Sequence, residues 1–210
     1  MLSKQIKKRG ILAKLLEAGI KIFLKKECKK VGNVKIDIVA SSIQILKGII
    51  EKIEIKAEKI CYKDLIFDKI ELEANEVKIN FQIQNKELEF KNNFIVNFTI
   101  SLSETSLNKI LLSDSWNWIG DMISKEILNR DKLEDLKIIN NQISIKALES
   151  NNNITQEESV ILNTEDGKIY FKDKSHNKSI QIPLEDKVYI KNLIIKNNKI
   201  TISAYSSISF

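Results

Sequence analysis

The chain has 210 residues, of which 43% are hydrophobic and 30% are charged, and its formal net charge is +6. This balance excludes an intrinsically disordered chain, and the length suits a single domain. With one proline and six glycines, the chain also contains no Pro- or Gly-rich linker.

The positive charge is concentrated at the N-terminus. Residues 1–30 contain ten Lys or Arg and two Glu, a net charge of +8, which leaves −2 for residues 31–210. A basic segment of this kind is attracted to anionic surfaces, whereas the remainder of the chain is nearly neutral.

Residues 1–31 are predicted to form a basic amphipathic helix that begins near residue 4. At 100° per residue, one broad side is apolar and the other carries lysines. The apolar side consists of Ile11, Leu12, Leu15, Leu16, Ile20, Ile22 and Phe23, and the basic residues include Lys7, Lys8, Arg9, Lys14, Lys21 and Lys25. We expect the basic side to face water or anionic headgroups, and the apolar side to face protein or acyl chains.

The N-terminal segment is interpreted as a retained helix rather than a secretory signal. Its apolar run is interrupted by Lys14, Glu17 and Lys21, and no small-residue cleavage site follows. No stretch of the chain reaches the roughly 18 uninterrupted apolar residues of a membrane span. These features predict a protein that is cytoplasmic or peripheral to a membrane.

From Val34 the period of the apolar residues changes from 3.6 to 2, which predicts β-strands. The apolar positions of the successive strands are Val34, Ile36, Ile38 and Ala40; Ile53, Ile55 and Ala57; Ile70, Leu72 and Ala74; Val77, Ile79, Phe81 and Ile83; and Phe94, Val96, Phe98, Ile100 and Leu102. Because the connections between them are short, we expect an antiparallel meander.

Two short helices and further strands follow. Ser103 or Thr105 is a plausible N-cap for one helix, and Asp114 or Ser115 for a second. Asp166–Gly167 and Asn197–Asn198 are expected to form the turns of two later hairpins. The sequence therefore predicts an α+β fold with one domain overall. Residues 1–31 form the basic helix, and residues 32–210 form an antiparallel sheet domain with helices near 104–129.

Motifs for catalysis are absent from the sequence. The single histidine, His176, lies in a polar loop, and Cys28 and Cys61 are the only cysteines, with no CxxC spacing. Metal-ligand clusters, Gly-rich phosphate loops and nucleophile motifs do not occur. We therefore expect no catalytic residues, no metal and no cofactor, and the protein is predicted not to be an enzyme.

A basic protein could also bind nucleic acid, but the charge pattern of the strands argues against it. Lys and Glu alternate almost evenly along residues 51–59 and 63–73, which cancels the field that a phosphate backbone would encounter. Only the N-terminal helix is strongly basic, and its apolar side is too extensive for a purely electrostatic contact. No nucleic-acid partner is expected.

The region from Ile43 to Phe81, together with "FIVNFTISLSETSLNKILLS", resembles the LmeA-type family of phospholipid-binding proteins, formerly a domain of unknown function. The shared features are an apolar strand that leads into a glycine ("IQILKG"), paired alternating strands, and a Ser/Thr-capped helix that carries Leu107 and Asn108. Ser106 stands where the family often has an acidic residue. The Ile/Lys/Asn-rich composition is similar to that of cyanobacterial members.

The resemblance implies a curled antiparallel sheet around the long helix, similar to tubular lipid-binding domains, with acyl chains held in a groove between them. It implies no catalytic residues. Phospholipid or another acyl lipid and an anionic membrane surface are therefore the expected partners. Lys7, Lys8, Arg9, Lys14, Lys21 and Lys25 are the candidate residues at the membrane surface. The candidate lipid contacts are Leu12, Leu15, Leu16, Phe23, Ile53, Ile55, Phe81, Phe94, Phe98 and Trp116.

Two functions remain open from the sequence. The first is non-enzymatic phospholipid binding or lipid transfer at a membrane surface. The second is a structural or scaffold protein with a closed core, whose basic helix binds an acidic protein partner. The environments of Trp116 and Trp118 also remain open. The two residues are two positions apart on a helix, so their side chains point to nearly opposite sides. In one alternative, one of them contacts the core and the other the rim of a groove or a bilayer interface. In the other, both are partly buried and brace the helix.

Overall fold

A computed structural model describes residues 10–82, 87–149, 154–175 and 177–209. Its helices are α1 (Ile11–Glu27), α2 (Ser42–Leu46), α3 (Glu104–Leu111) and α4 (Asn117–Leu128). The two mid-chain helices and the existence of an N-terminal helix are therefore confirmed. The predicted bounds of the N-terminal helix are too wide, because the backbone is extended at Gly10 and at Cys28. Residues 1–9, which include Lys7, Lys8 and Arg9, lie outside the described residues. Among the described helices, none is long and apolar enough to cross a membrane.

Seven strands form the first sheet. They are β1 (Val34–Val39), β2 (Ile49–Tyr62), β3 (Leu65–Gln82), β4 (Glu87–Phe90), β5 (Phe94–Ser103), β11 (Val188–Lys196) and β12 (Lys199–Ile208). Their spatial order is β1-β2-β3-β5-β12-β11, and β4 pairs with the end of β3. The two groups of alternating residues around Ile70 and Val77 belong to one continuous strand, β3.

Five strands form the second sheet. They are β6 (Lys132–Ile139), β7 (Gln142–Glu149), β8 (Ile154–Glu165), β9 (Lys168–Asp173) and β10 (Ser179–Gln181), in the order β10-β9-β8-β7-β6. The pairings of both sheets are antiparallel, as predicted. Positive φ angles at Asp166, Asn197 and Asn198 confirm the two expected hairpin turns.

The expected curled sheet is wrong, whereas the likeness to tubular lipid-binding domains stays a prediction. The strands divide into two open sheets, and the first has β1 and β11 at opposite edges instead of closing around α1. The second sheet and its helices cover one end of the apolar face, while α1 covers the other, so burial is achieved by layering. The first sheet therefore buries its apolar face against other elements without closing on itself.

Two hydrophobic clusters hold these layers together. The larger one joins the second sheet and α4 to β5, β11 and β12, through fully buried residues such as Ile123, Ile143 and Ile200. The smaller one joins α1 to β2 and β3, and its most buried members are Leu16, Ile50 and Val77.

Polar side chains on α3 attach the two sheets to each other. Asp68 of β3 accepts hydrogen bonds from the backbone N–H of Ser103 and from the hydroxyl of Ser106, at the start of α3. On the other side of the helix, Asn108 bonds both the N–H and the carbonyl of Leu136 in β6, at 2.8 and 2.6 Å. Since β6 is an edge strand, these contacts cover backbone groups that would otherwise be open to pairing with another chain.

We expect Leu16→Ala to lower the free energy of unfolding by roughly 3 kcal/mol, because it removes a buried side chain and leaves a cavity under α1. Chemical denaturation followed by circular dichroism measures this change. Leu15→Ala is the matched control, since Leu15 is 53% exposed and Leu16 is 1% exposed. Equal losses in the two variants would contradict the observed orientation of α1.

Candidate functional site

The outer side of α1 is apolar, although the opposite side of the same helix is the one that packs on the sheet. At 100° per residue, Ile11, Leu15, Ala18 and Ile22 lie within about 60° of one another. We call these four exposed residues the outer stripe. The residues directed toward the sheet, Ala13, Leu16 and Ile20, lie on the opposite side of the helix and are buried or partly buried. The helix therefore presents an apolar surface to solvent, and this surface takes no part in the packing of the helix on the sheet.

Lysines flank the outer stripe. Lys14, Lys21 and Lys25 lie about 50–90° to one side of the middle of the stripe, and Lys26 lies to the other side. All four are exposed. Within the part of the chain that the structure describes, none of them has an ion pair or a side-chain hydrogen bond. Their charges are therefore available to an external anion.

The short helix α2 extends the apolar surface. The Ser41 hydroxyl accepts a hydrogen bond from the N–H of Gln44, and the Gln44 side chain accepts one from the N–H of Ser41, which forms a capping box. Ile43 and Leu46 on this helix are 66% and 72% exposed. The first turn of α1 lies against α2, since a Cβ on Gly10 would be 3.0 Å from the Ser42 hydroxyl oxygen.

A glycine fixes the direction in which the chain leaves α2 and enters β2. Gly48 has a φ of +69°, and a Cβ there would lie 1.9 Å from the carbonyl oxygen of Ile79. Only glycine permits this close approach between the end of α2 and β3. The outer stripe and the α2 residues Ile43 and Leu46 together form what we call the docking surface.

A second partly exposed apolar region lies on the sheet, between the two hydrophobic clusters. Leu72 shares a face with Ala74, which belongs to the α1 cluster, and pairs with Phe98, which packs against the larger cluster. Ile55 pairs with Leu72, and Ile70 is the next residue of β3 on that face. Ile55, Ile70 and Leu72 are each only partly buried, and we call them the seam.

The predicted lipid contacts are divided between these regions. Leu16, Ile53 and Phe94 meet in the α1 cluster, whereas Phe98 and Trp116 pack against the larger cluster. Ile55 lies in the seam, Leu12 is partly buried, and Leu15 and Phe23 are exposed. The side chain of Phe81 lies outside the described residues. The structure therefore does not gather the ten candidates into one groove.

The two tryptophans have different environments. The Trp116 indole packs against the larger cluster and donates a hydrogen bond to the carbonyl of Lys63 at 2.8 Å. Trp116 is itself the N-cap of α4, without a side-chain cap hydrogen bond, so the expectation that Asp114 or Ser115 caps this helix is wrong. Trp118, two residues further on, is exposed.

Sequence reasoning missed three parts of this site. The segment "IQILKG" was predicted to be a strand, and this is wrong: Ser42–Leu46 form the helix α2, which the capping-box spacing of Ser41 and Gln44 indicates. The outer stripe was merged with the buried side of α1 into one broad apolar side, because apolar residues occupy more than half of the helix circumference. The seam carried no separate signal, since its residues alternate like those of any half-buried strand.

An ion pair attaches the chain just after α1 to the turn between β2 and β3. The Lys29 ammonium lies 2.7 Å from one oxygen of Asp64, and the Ser115 hydroxyl donates to the other oxygen at 2.8 Å. The hydrogen bond from Lys29, followed by the one from Ser115, lowers the pKa of Asp64. These contacts link α1, the turn and the segment before α4.

Comparison with protein-family models, curated proteins and solved structures finds no match for this chain. The resemblance to the LmeA-type family therefore stays a prediction. The case for a function rests on the surfaces described above.

The lowered pKa of Asp64 predicts a specific pH dependence. Because the pKa is lower in the folded than in the unfolded chain, the stabilisation is fully present above the unfolded value of about 3.9. It is lost as the pH falls through the folded value. We therefore expect wild type to be more stable than Asp64→Asn near neutral pH, with the difference disappearing in acid. Unfolding measured across pH, with a carboxyl NMR titration of Asp64, tests this, and a titration midpoint above 3.9 would contradict it.

Proposed function

We propose that this protein is a non-enzymatic phospholipid-binding protein that works at the surface of an anionic membrane. The observation that carries the proposal is the outer stripe of α1, an exposed apolar stripe bordered by lysines that have no described partner. Interfacial helices combine these two features, since the apolar side enters the acyl boundary while the cations meet the headgroups. The location that follows is peripheral to a membrane.

The energies available at the docking surface support this proposal. Ile11, Leu15, Ile22, Ile43 and Leu46 are all more than half exposed. Burying one such side chain completely contributes roughly 1.5–3 kcal/mol. Each lysine near an anionic leaflet adds about 1 kcal/mol. Even partial insertion of these residues would offset the cost of immobilising the protein at the surface.

The side chains under α1 limit where an acyl chain can lie. Leu16, Ile50 and Val77 are almost completely buried and pack together, so side chains occupy this part of the space between the helix and the sheet. The seam offers apolar surface that is partly accessible. We therefore propose that a lipid acyl chain contacts Ile55, Ile70 and Leu72 beside α1, as part of lipid binding or transfer.

The packing under α1 also favours a second candidate function. A sheet that is closed by side chains could serve as a scaffold, with the lysines of α1 binding an acidic protein partner. This alternative requires no lipid. It leaves the apolar character of the outer stripe without a role, and for that reason we rank it second.

Substitutions in the outer stripe test membrane insertion. We expect Leu15→Ser combined with Ile22→Ser to reduce binding to anionic phospholipid vesicles at least tenfold in a co-sedimentation assay, because polar side chains enter the acyl region at a cost. The control is Ile139→Ser combined with Ile194→Ser. These two isoleucines are 51% and 49% exposed, against 53% and 56% for Leu15 and Ile22, and they lie on β6 and β11. Equal losses in the two double variants would argue against insertion through α1.

Neutralising the lysines tests the electrostatic part. Replacing Lys14, Lys21 and Lys25 by Gln should weaken binding to anionic vesicles by about a hundredfold at low salt, since three contributions of about 1 kcal/mol are removed. The same replacement at the exposed residues Lys132, Lys196 and Lys199 is the charge-matched control. Equal binding of wild type to neutral and anionic vesicles, or no binding to either, would overturn the proposal.

Lipid retention tests the seam and separates the two candidate functions. We expect protein purified from cells to carry phospholipid, detectable by native mass spectrometry. Ile70→Phe combined with Leu72→Phe should reduce the bound fraction by filling the seam, while vesicle binding persists. Leu112→Phe, at an exposed position on another surface, is the control. If the purified protein carries no lipid and does not bind vesicles, these results would favour the scaffold function.

A further inference from the structure

The hydrophilic face of the first sheet contains an open groove. It lies on the side of the sheet opposite the seam, because successive residues of a strand point to opposite faces. Cross-strand pairs place Glu54 beside Glu73, Glu73 beside Asn97, and Asn97 beside Tyr205. The parallel row on the same face runs from Lys56 through Glu71 and Thr99 to Ser203. Apart from Tyr205, the residues of these rows line a cavity of about 280 Å³, together with Lys191 and with Leu72, Phe98 and Ala204, which lie between the two rows.

A second cavity continues the first. It has a volume of about 500 Å³ and shares Asn97 and Lys191 with its neighbour. Its other boundaries include Asn75, Asn92 and Tyr205. The two together form one elongated recess, which we call the polar groove.

A β-bulge builds one side of the polar groove. The pairing of β11 with β12 shifts between Ile190 and Asn192, which leaves Lys191 as the extra residue. The Lys191 ammonium donates to the Asn97 side-chain oxygen at 2.7 Å and lies 5.1 Å from the centre of the Tyr205 ring. The bulge thus directs a long side chain across the sheet, and the lysine holds Asn97 in place.

Hydrogen-bonding groups in the polar groove remain open to a ligand. The Asn97 amide uses its oxygen for Lys191, and among the described residues its two N–H donors have no partner. Thr99 and Ser203 share a single hydrogen bond of 3.2 Å, so one hydroxyl proton and several lone pairs are left over. The groove therefore offers both donors and acceptors within one short stretch of sheet.

The charges along the groove are largely compensated within the protein. Lys52 bridges Glu54 and Glu73 at 2.6 and 2.9 Å, and Lys69 lies 2.5 Å from Glu71. The hydrogen bond from Lys69 lowers the pKa of Glu71, and the one from Lys52 lowers the pKa of Glu73. Both groups are therefore carboxylates at neutral pH, which act only as acceptors.

This combination selects a class of ligand. Carboxylates along the wall disfavour phosphate and other anions, and the lysines beside them reduce the attraction for a cation. A neutral molecule with many hydroxyl groups can donate to the carboxylates and accept from the Asn97 amide at the same time. We propose that the polar groove is a saccharide-binding site.

This site is separate from the docking surface and does not depend on the membrane proposal. The docking surface lies on α1, which packs on the apolar face, and on the adjoining α2, whereas the polar groove opens on the other face of the sheet. A protein docked through α1 would keep the groove directed away from that contact. Saccharide binding and vesicle binding can therefore succeed or fail independently.

The test is an NMR titration of the full chain labelled with ¹⁵N, using glucose, N-acetylglucosamine, maltose and cellobiose as probes. We expect at least one of them to shift the backbone amides of Asn97, Thr99, Ser203 and Tyr205 in a saturable way at millimolar concentrations. Thr99→Val should weaken that binding about tenfold by removing one hydroxyl from the floor of the groove. Thr201→Val is the matched control. Thr201 lies on the same face of the sheet as Thr99, two residues before Ser203 on β12, but it does not line the groove.

Three results would overturn the proposal. The first is the absence of saturable shifts in the groove with all four saccharides. The second is an equal loss of binding in Thr99→Val and Thr201→Val, with both variants folded by their NMR spectra. The third is a saturable response of the groove to inorganic phosphate in place of the saccharides.

Discussion

The register between β2, β3 and β5 is the constraint on which both proposed binding surfaces depend. Ile55, Leu72 and Phe98 are direct cross-strand neighbours, as are Glu54, Glu73 and Asn97 one residue away. A slip of one residue between two of these strands would move carboxylates to the apolar face and isoleucines to the hydrophilic face. The seam and the polar groove are therefore two consequences of the same pairing.

The extent of this apolar face explains the layered architecture. One sheet of long strands presents more apolar surface than a single helix can cover. The second sheet packs over one end together with α4, while α1 packs over the other end. The seam lies between these two packed regions, and its residues are only partly buried. Lipid binding at this point would use surface that the fold leaves incompletely buried.

The composition of α1 is compatible with two roles, packing on the sheet and the membrane contact that we propose. Leu16 and Ile20 anchor it to the sheet, and the outer stripe remains apolar on the side away from that contact. A helix that only closed a core would gain nothing from Ile11, Leu15 and Ile22 in water, since exposed apolar surface of this extent usually marks an interaction site. The lysines that border the stripe favour an anionic surface over a neutral one.

The sequence by itself determined the local elements. Its apolar periodicity predicted α1, the strands of the first sheet other than β4, and the two mid-chain helices. Its Asp-Gly and Asn-Asn pairs predicted two hairpin turns, because these signals act between residues close in the chain. Only the tertiary structure decided that the sheets stay open, that Leu16 is buried while Leu15 is exposed, and that Lys191 reaches Asn97. Each of these outcomes depends on contacts between residues far apart in sequence, where many pairings satisfy the same alternation. The periodicity of a strand specifies that it has two faces, but the layers packed against it decide how much of each face remains open to a ligand.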